Sequence, residues 1–398
     1  MSLSGYADLP LHTGHVPHWL AELMKSLAKE IIKTLIMEFG NEGLLRRLSN
    51  PLWFQAFNNV IGMDWDSSGS TTVTTSIIKH VLNELNLDVR IAGGKGQTSL
   101  STPQEISRYV EELGGNTSLI NEMVRYSKLS AKVDSVLLQD GFILYHHAIA
   151  FDTSGRWVVI QQGMNAENKL ARRYHIAWFT TNTIDEEPHS GISSNHKGEV
   201  LNLTDIESRR CKKVILDLVN EEPRKLVTAV YEVNRTLKNI RTLYSYTSLR
   251  ENQKQDTNIP YNRNIPYYRP IRIDKTFIAK LRKAYEVRPS TIEDMLLISQ
   301  LGGEVVRALS LISELIYREP PSLKDPVTHP YDPFKYAFAV GGKDGIPFPV
   351  KRELMVSVIK ELEEVVKDAE LGNKEMLIAL RALSRLAPKE FYLESSIT

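Results

Sequence analysis

The sequence predicts an α+β protein: a mixed α/β N-terminal domain with a small sheet, followed by an all-helical C-terminal domain. Three observations predict it. Apolar residues recur at helical spacing over the first part of the chain, alternate like strand residues from about 133 to 185, and return to helical spacing from Thr204 onward. At 398 residues the chain exceeds one ordinary core. The reading therefore divides it into 1–203, mixed α/β and catalytic; 204–246, a helical extension; 247–270, a linker; and 271–398, a helical domain.

The elements follow in order. Leu20, Leu23, Leu27, Ile31 and Leu35 mark a first helix that Gly40 stops. Asn50 as N-cap, Pro51 at the first helical position and Gly62 as the stop frame a second. "MDWDSSGSTT" is a loop feeding a third, and "VRIAGGKGQTSLSTPQEISRYVEELGG" reads as strand, glycine loop and helix. Within the strand region, "LYHHAIAFDTSGRWVVIQQGMN" (144–165) reads as an antiparallel hairpin from Leu144 to Asp152 and from Arg156 to Gln162 around "TSG". Alternation sends His146 and His147 to opposite faces, and Gln161 and Gln162 likewise. We expect one face to gather His147, one glutamine, Asp134 and His175, and the other to meet the N-terminal helices or solvent. After Pro223, Leu226, Val230, Val233, Leu237 and Ile240 form another apolar stripe. "SLRENQKQDTNIPYNRNIPYYRPIRIDK" is aperiodic, with three prolines, and separates what we expect to be two cores.

Composition bounds the chemistry. Hydrophobic residues make up 42% and charged residues 24%, as in globular proteins, and the net charge of +1 leaves nucleic-acid binding to a local patch. Cys211 is the only cysteine, which excludes an intrachain disulfide and a cysteine-rich zinc site. "MSLSGYADLP" lacks the apolar core of a signal peptide, so a cytoplasmic protein is expected.

Five of the ten histidines lie between 146 and 196 beside several carboxylates. Imidazole and carboxylate together bind divalent ions and activate water, so the candidate catalytic residues are His147, His146, Asp134, Gln161, Gln162 and His175, with Asp134 and His147 as ligands of Mg²⁺ or Mn²⁺. Bidentate guanidinium groups suit phosphate, which makes Arg172 and Arg173 phosphate candidates, together with Lys95 in "AGGKG". Neither "AGGKG" nor "VGGKDG" has the Walker A spacing.

"LLISQLGGEVVRALSLISELI" (296–316) resembles a helix-hairpin-helix, in which turn amides and a helix N-terminus hold DNA phosphate; Gly302 and Gly303 are its candidates, and Gln300 replaces the usual first glycine. Between 250 and 288 ten Lys or Arg, Arg269 and Arg272 among them, outnumber four acids, with Tyr261, Tyr267, Tyr268 and Tyr285 interleaved. Such a stretch tracks a phosphate backbone and stacks on bases.

"GYADLPLHTGHVPHWL", "DWDSSGSTTVTT", "AGGKG", "YHH", "WVVIQQGMN", "ARRYH", "EEPHSGI" and "FAVGGKDGIPFPV" together resemble, over nearly the whole chain, the archaeal and bacterial family catalogued as domain of unknown function 763. The resemblance implies a prokaryotic, cytoplasmic protein and supplies no catalytic residues. The residues themselves point first to a metal-dependent nuclease acting on single-stranded or structured DNA without sequence preference, in repair or replication. Two alternatives stand beside it: a metal-independent DNA glycosylase or lyase using Lys343 and Asp344, and a DNA-binding or scaffolding protein without turnover.

Overall fold

A computed structural model describes residues 16–63, 69–180, 183–194, 196–238 and 265–329, with six residues between 352 and 360. Three helices open it: α1 (His18–Leu48), α2 (Pro51–Val60) and α3 (Gly69–Glu84). Gly40 takes φ 64°, a left-handed conformation that suits glycine, and breaks α1 into two helical segments that meet at a kink, so the first helical run stops where its sequence indicates. The Asn50 side chain accepts from the amides of Leu52 and Trp53, so α2 starts at the cap its sequence specifies.

β1 (Arg90–Lys95) leads through a single helical turn, α4 (Gln97–Leu100), to α5 (Thr102–Glu112) and α6 (Thr117–Lys132), whose end widens into a π turn over Val133–Leu137. After β2 (Leu138–Gln139) come β3 (Ile143–Phe151), β4 (Trp157–Asn165), β5 (Leu170–Ala177) and β6 (His189–Ser193). β1, β3, β4, β5 and β6 form an antiparallel sheet in that order. The expected hairpin is therefore present, with His147 opposite Gln161 and His146 opposite Gln162.

Both faces of this sheet are covered, which explains why its strands read as apolar runs carrying adjacent polar pairs. On the first face Ile149, Phe151, Trp157, Val159 and Ile176 pack in a core with residues of α5 and α6. On the second Ile91, Ala148, Ala150, Val158, Ile160 and Ala177 pack against α1 to α3.

β7 (Glu199–Asn202) pairs with β2 and with β8 (Ser322–Lys324) in a second antiparallel sheet. Between them run α7 (Arg209–Val219), α8 (Pro223–Leu237), α9 (Lys275–Val287), α10 (Ile292–Leu297) and α11 (Gly303–Leu315). Two expectations change here. The described part of 271–398 includes strand β8, so it is not wholly helical, and its helices share one hydrophobic cluster with Ile149 and Val159 of the sheet, so the linker does not separate two cores. Tyr267 and Tyr268, expected to stack on bases, belong to that cluster too, because the chain from Ile265 turns inward and Glu314 accepts from the Tyr268 hydroxyl. Among the described residues no helix is long and apolar enough to cross a membrane.

Candidate functional site

The sheet divides the sequence-predicted residues between its two faces. On the first face lies a hydrogen-bonded relay. The Gln161 amide nitrogen, 2.5 Å from Asp134 Oδ2 and 3.2 Å from the Ser130 carbonyl, donates to both acceptors, so its oxygen faces His147 Nδ1 at 2.8 Å. That oxygen can only accept, so Nδ1 carries the proton. His147 Nε2 is then the acceptor for the Ser127 hydroxyl at 2.8 Å. At the other end His189 Nε2 lies 2.6 Å from Asp134 Oδ1. The order is Ser127, His147, Gln161, Asp134, His189.

His147, Gln161 and Asp134 thus meet as expected, whereas His175 does not join them, since it sits on the opposite face with Ile160 as its cross-strand partner. His189 takes the place expected for it. Burial lowers the His147 pKa, against the Gln161 hydrogen bond and the Asp134 charge, which raise it. Both nitrogens of His147 and both oxygens of Asp134 are engaged, so a metal ion would have to displace bonds of this relay. Among the described residues no three His, Cys, Asp or Glu side chains are grouped to hold one.

Arg172 shares this face and is locked. Its guanidinium bonds Asp140, both oxygens of Asp325 and the His196 carbonyl, while the Tyr174 hydroxyl donates to Asp140. Burial opposes its charge, and Asp140, Tyr174 and Asp325 outweigh that, so its pKa is raised. The fork expected to clamp phosphate instead ties the segment after β8 to the main sheet.

The second face carries a different polar layer. His146, Gln162 and Arg173 form one cross-strand row, with His175 two residues beyond Arg173. Opposite them α2 and α3 present Gln55, Asn58, Asn59, Ser70, Thr71, Thr74 and Thr75, all buried. Arg173 lies over the Phe54 ring and reaches Gln55 Oε1 at 3.2 Å, the Pro51 carbonyl at 3.4 Å and Thr71 Oγ1 at 3.5 Å. Gln55 and Asn58 donate to Asn59, and Thr74 to Asn58. The Gln162 amide donates to the Tyr145 hydroxyl.

Tautomers follow here as well. Thr75 donates its hydroxyl proton to the Thr71 carbonyl at 2.7 Å, so it accepts from His146 Nε2–H at 3.1 Å. His175 Nδ1–H donates to the Leu48 carbonyl at 2.9 Å. Each imidazole is left with one bare nitrogen, His146 Nδ1 and His175 Nε2, and both are buried without a partner, as are Ser70 Oγ and Asn59 Nδ2. The His146 pKa is lowered to about 3, first by burial and then by His147, Lys95 and Lys79. That of His175 lies well below its usual value, through burial and then Arg173. Both rings are neutral at pH 7.

The remaining candidates lie elsewhere. Lys95 is exposed at the end of edge strand β1. Gly302 and Gly303 open α11, and Gln300 adopts φ 55° in the turn from α10. Lys283 bonds the Gln300 side chain, and Lys280 Nζ lies 3.1 Å from where a Gly302 Cβ would sit. Burial and the charge of Lys280 lower the pKa of half-buried Lys132. Arg269 and Arg272 are exposed, and Glu304 adds one carboxylate to the first turn of α11. Lys343 and Asp344 lie outside the described residues, as does most of the 247–270 segment.

Sequence reasoning passed over Ser127, Ser70, Asn59 and Thr75. The signal for α3 was present: Ser70, Thr71, Thr74 and Thr75 make a small polar stripe at helical spacing ahead of Ile77, Ile78, Val81 and Leu82. A core-facing stripe that changes from hydroxyls to aliphatics marks where the helix meets polar groups.

Strings quoted for the family resemblance supply both layers: "DWDSSGSTTVTT", "YHH", "WVVIQQGMN" and "ARRYH" each place a residue on the second face, and "EEPHSGI" places His189 on the first. A family model described as protein of unknown function (DUF763) matches residues 5–350. The chain belongs to the DUF763 family. No curated protein and no solved structure matches the chain. For DUF763 the site geometry therefore carries the functional argument.

Proposed function

We propose that this DUF763 protein is a nucleic-acid-processing hydrolase, a nuclease that holds a phosphate backbone on the basic surface of α9 to α11 and does its chemistry at the polar layer between the sheet and α2 and α3. One observation carries the chemistry: two buried, neutral imidazoles with bare nitrogens lie in the same polar layer as Arg173. A phosphodiester brought against this layer would raise the pKa of these imidazoles toward the working pH, so that one accepts the proton of the attacking water. Arg173 offsets charge growing on the phosphoryl oxygens. A divalent ion remains the expected cofactor, which would lower the pKa of that water.

The basic surface supports the binding half. Arg272, Lys275, Arg282 and Lys283 are exposed, and Lys280 and Lys132 crowd the hairpin turn closely enough to repel one another. An anion there relieves that repulsion and meets the amides opening α11, as a helix-hairpin-helix does.

A second reading, DNA binding without turnover, is favoured by the saturation of the His147 and Asp134 relay. Labelled single-stranded, duplex, flapped and damaged DNA, incubated with the full chain in Mg²⁺, Mn²⁺ or EDTA, separates the readings. Metal-dependent products lost in His146→Asn and His175→Asn support the nuclease; products that persist in EDTA point to lyase-type chemistry. Salt-sensitive binding with no product supports the binder, and no binding to any substrate sinks the proposal.

A further inference from the structure

Arginine is costly to bury on a helix whose neighbouring residues are apolar, yet α11 buries one. Arg307 is 8% exposed among Val305, Val306, Ala308 and Leu309. Its Nη1 donates to the carbonyls of Tyr267 and Arg269 at 2.8 and 2.5 Å, while Nη2 and Nε donate to Glu304 at 2.7 and 3.2 Å. One buried cation thus fixes two nearby carbonyls. From the other side α8 grips the same stretch, because Asn234 donates to the Ile271 carbonyl at 2.9 Å and accepts from the Ile271 amide at 2.7 Å. Tyr267, Tyr268 and Ile271 anchor this strap inward, and Arg269 and Arg272 are exposed.

The backbone accounts for that arrangement. Arg269 has φ −67° and ψ 141°, polyproline-II values, and the ring of Pro270 holds the next residue to a similar φ. Such a helix has three residues per turn and rises about 3.1 Å per residue, so residues 269 and 272 share a side about 9 Å apart. Arg272 then faces Lys280 of α9 across one open hollow of about 320 Å³, with Val305 of α11 in its wall. The acids of that wall are engaged: Asp274 caps α9 and lies 3.9 Å from Arg272, and Glu304 holds Arg307. We propose that Arg307 and Asn234 are positioning residues, which hold the strap so that Arg269, Arg272 and Lys280 meet successive phosphates of one nucleic-acid strand. Contacts of this kind fix a protein on the backbone without reading bases. This inference rests on the nucleic-acid reading above and adds the residues that order its basic surface.

The test uses the full chain, single-stranded and duplex DNA, and the salt dependence of binding. Arg269→Ala together with Arg272→Ala removes two exposed cations, and it is expected to leave melting unchanged while flattening the slope of log K against log salt on duplex by about 1.8, the sum of two contacts. The same pair is then removed in two backgrounds. Arg307→Lys keeps the charge and gives up the fixed planar geometry that serves both carbonyls. Asn234→Ala releases the strap from α8 at a half-buried site, so it guards against misfolding of the first. With the strap loosened, removing the pair should flatten the slope by about 0.9 or less.

Slopes are compared in the backgrounds that melt cooperatively. A pair that counts fully in wild type and weakly in a loosened background supports the inference. A pair that counts equally in every background assigns Arg307 and Asn234 to stability alone, which overturns the inference and leaves the nucleic-acid reading standing. DNA binding whose wild-type slope ignores the pair has the same meaning. Binding to neither single strand nor duplex overturns both.

Discussion

The two faces of one sheet carry two polar layers built from adjacent residues of the same strands, and they differ in completeness. The relay from Ser127 to His189 uses both nitrogens of His147, both polar atoms of Gln161 and both oxygens of Asp134. Unpartnered atoms beside that relay are Ser130 Oγ and Arg172 Nε, a hydroxyl and one N–H of a guanidinium that already meets four acceptors, and farther off in the same core cluster the Tyr267 hydroxyl also lacks a partner. Across the sheet the unpartnered atoms include two imidazole nitrogens. A satisfied buried network specifies a core, and the two layers differ in how far their own side chains satisfy one another. Catalytic residue types alone did not distinguish the two layers; the hydrogen-bond census does.

The sharpest way to break this comparison is at the lock on the satisfied face. Arg172→Ala leaves Asp140 and Asp325 buried without their cation, and we expect a loss of about 3–5 kcal/mol in urea unfolding. A loss below about 1 kcal/mol would show that the first face is not held together as described.

Acid should act next, chiefly through the second face. His146 has a folded pKa of about 3 against 6.5 for an unperturbed ring, so the unfolded chain binds more protons below pH 6.5. Stability is fully present above that value and falls as pH drops toward 3, by about 2 kcal/mol at pH 5 from this ring alone. His175 and His147 shift in the same direction. Chemical unfolding of wild type and His146→Gln at pH 7 and pH 5 checks the sign; an equal pH dependence in both removes His146 from the account.

A matched pair of hydroxyl deletions sharpens the contrast. Ser127→Ala strands His147 Nε2 and should cost about 1–3 kcal/mol while leaving DNA affinity unchanged. Ser70→Ala strands nothing and should change melting stability by less than about 0.5 kcal/mol. Equal costs at the two positions would erase the distinction between the faces.

The smallest stability effect belongs to the exposed surface. Arg272 is 87% exposed at its side chain, so Arg272→Ala should leave unfolding unchanged. If Arg272 contacts phosphate, the slope of log K against log salt on duplex DNA flattens by about 0.9. An unaltered slope assigns the residue to solvent.

Much of the architecture was legible in the sequence. Asn50 with Pro51 announced α2, the alternation in 144–165 announced β3 and β4, and the period-2 rule put one histidine and one glutamine on each face, leaving the register to show that His146 goes with Gln162 and His147 with Gln161. These are local properties, set by capping geometry and by the alternation of side chains along a strand, and neighbouring residues suffice to state them. Asp134 was also found, because a carboxylate near a histidine-rich hairpin is a short-range pattern.

What the sequence by itself determined, then, is which side chains share a face; what the tertiary structure decided is what each face meets. Asp325 is far from Arg172 in the chain, and nothing near either residue marks them as partners. His175 was assigned to the wrong layer because pairing across β4 and β5, rather than composition, puts it behind Ile160. The linker was expected to divide two cores, yet Tyr267 and Tyr268 fold inward beneath α11, where Glu314 takes the Tyr268 hydroxyl. Satisfaction of a buried polar group depends on atoms brought from distant segments within about 3 Å, and no local pattern encodes that distance. The bare nitrogens of His146 and His175 emerge only once Thr75 and the Leu48 carbonyl have fixed the proton on the other side of each ring.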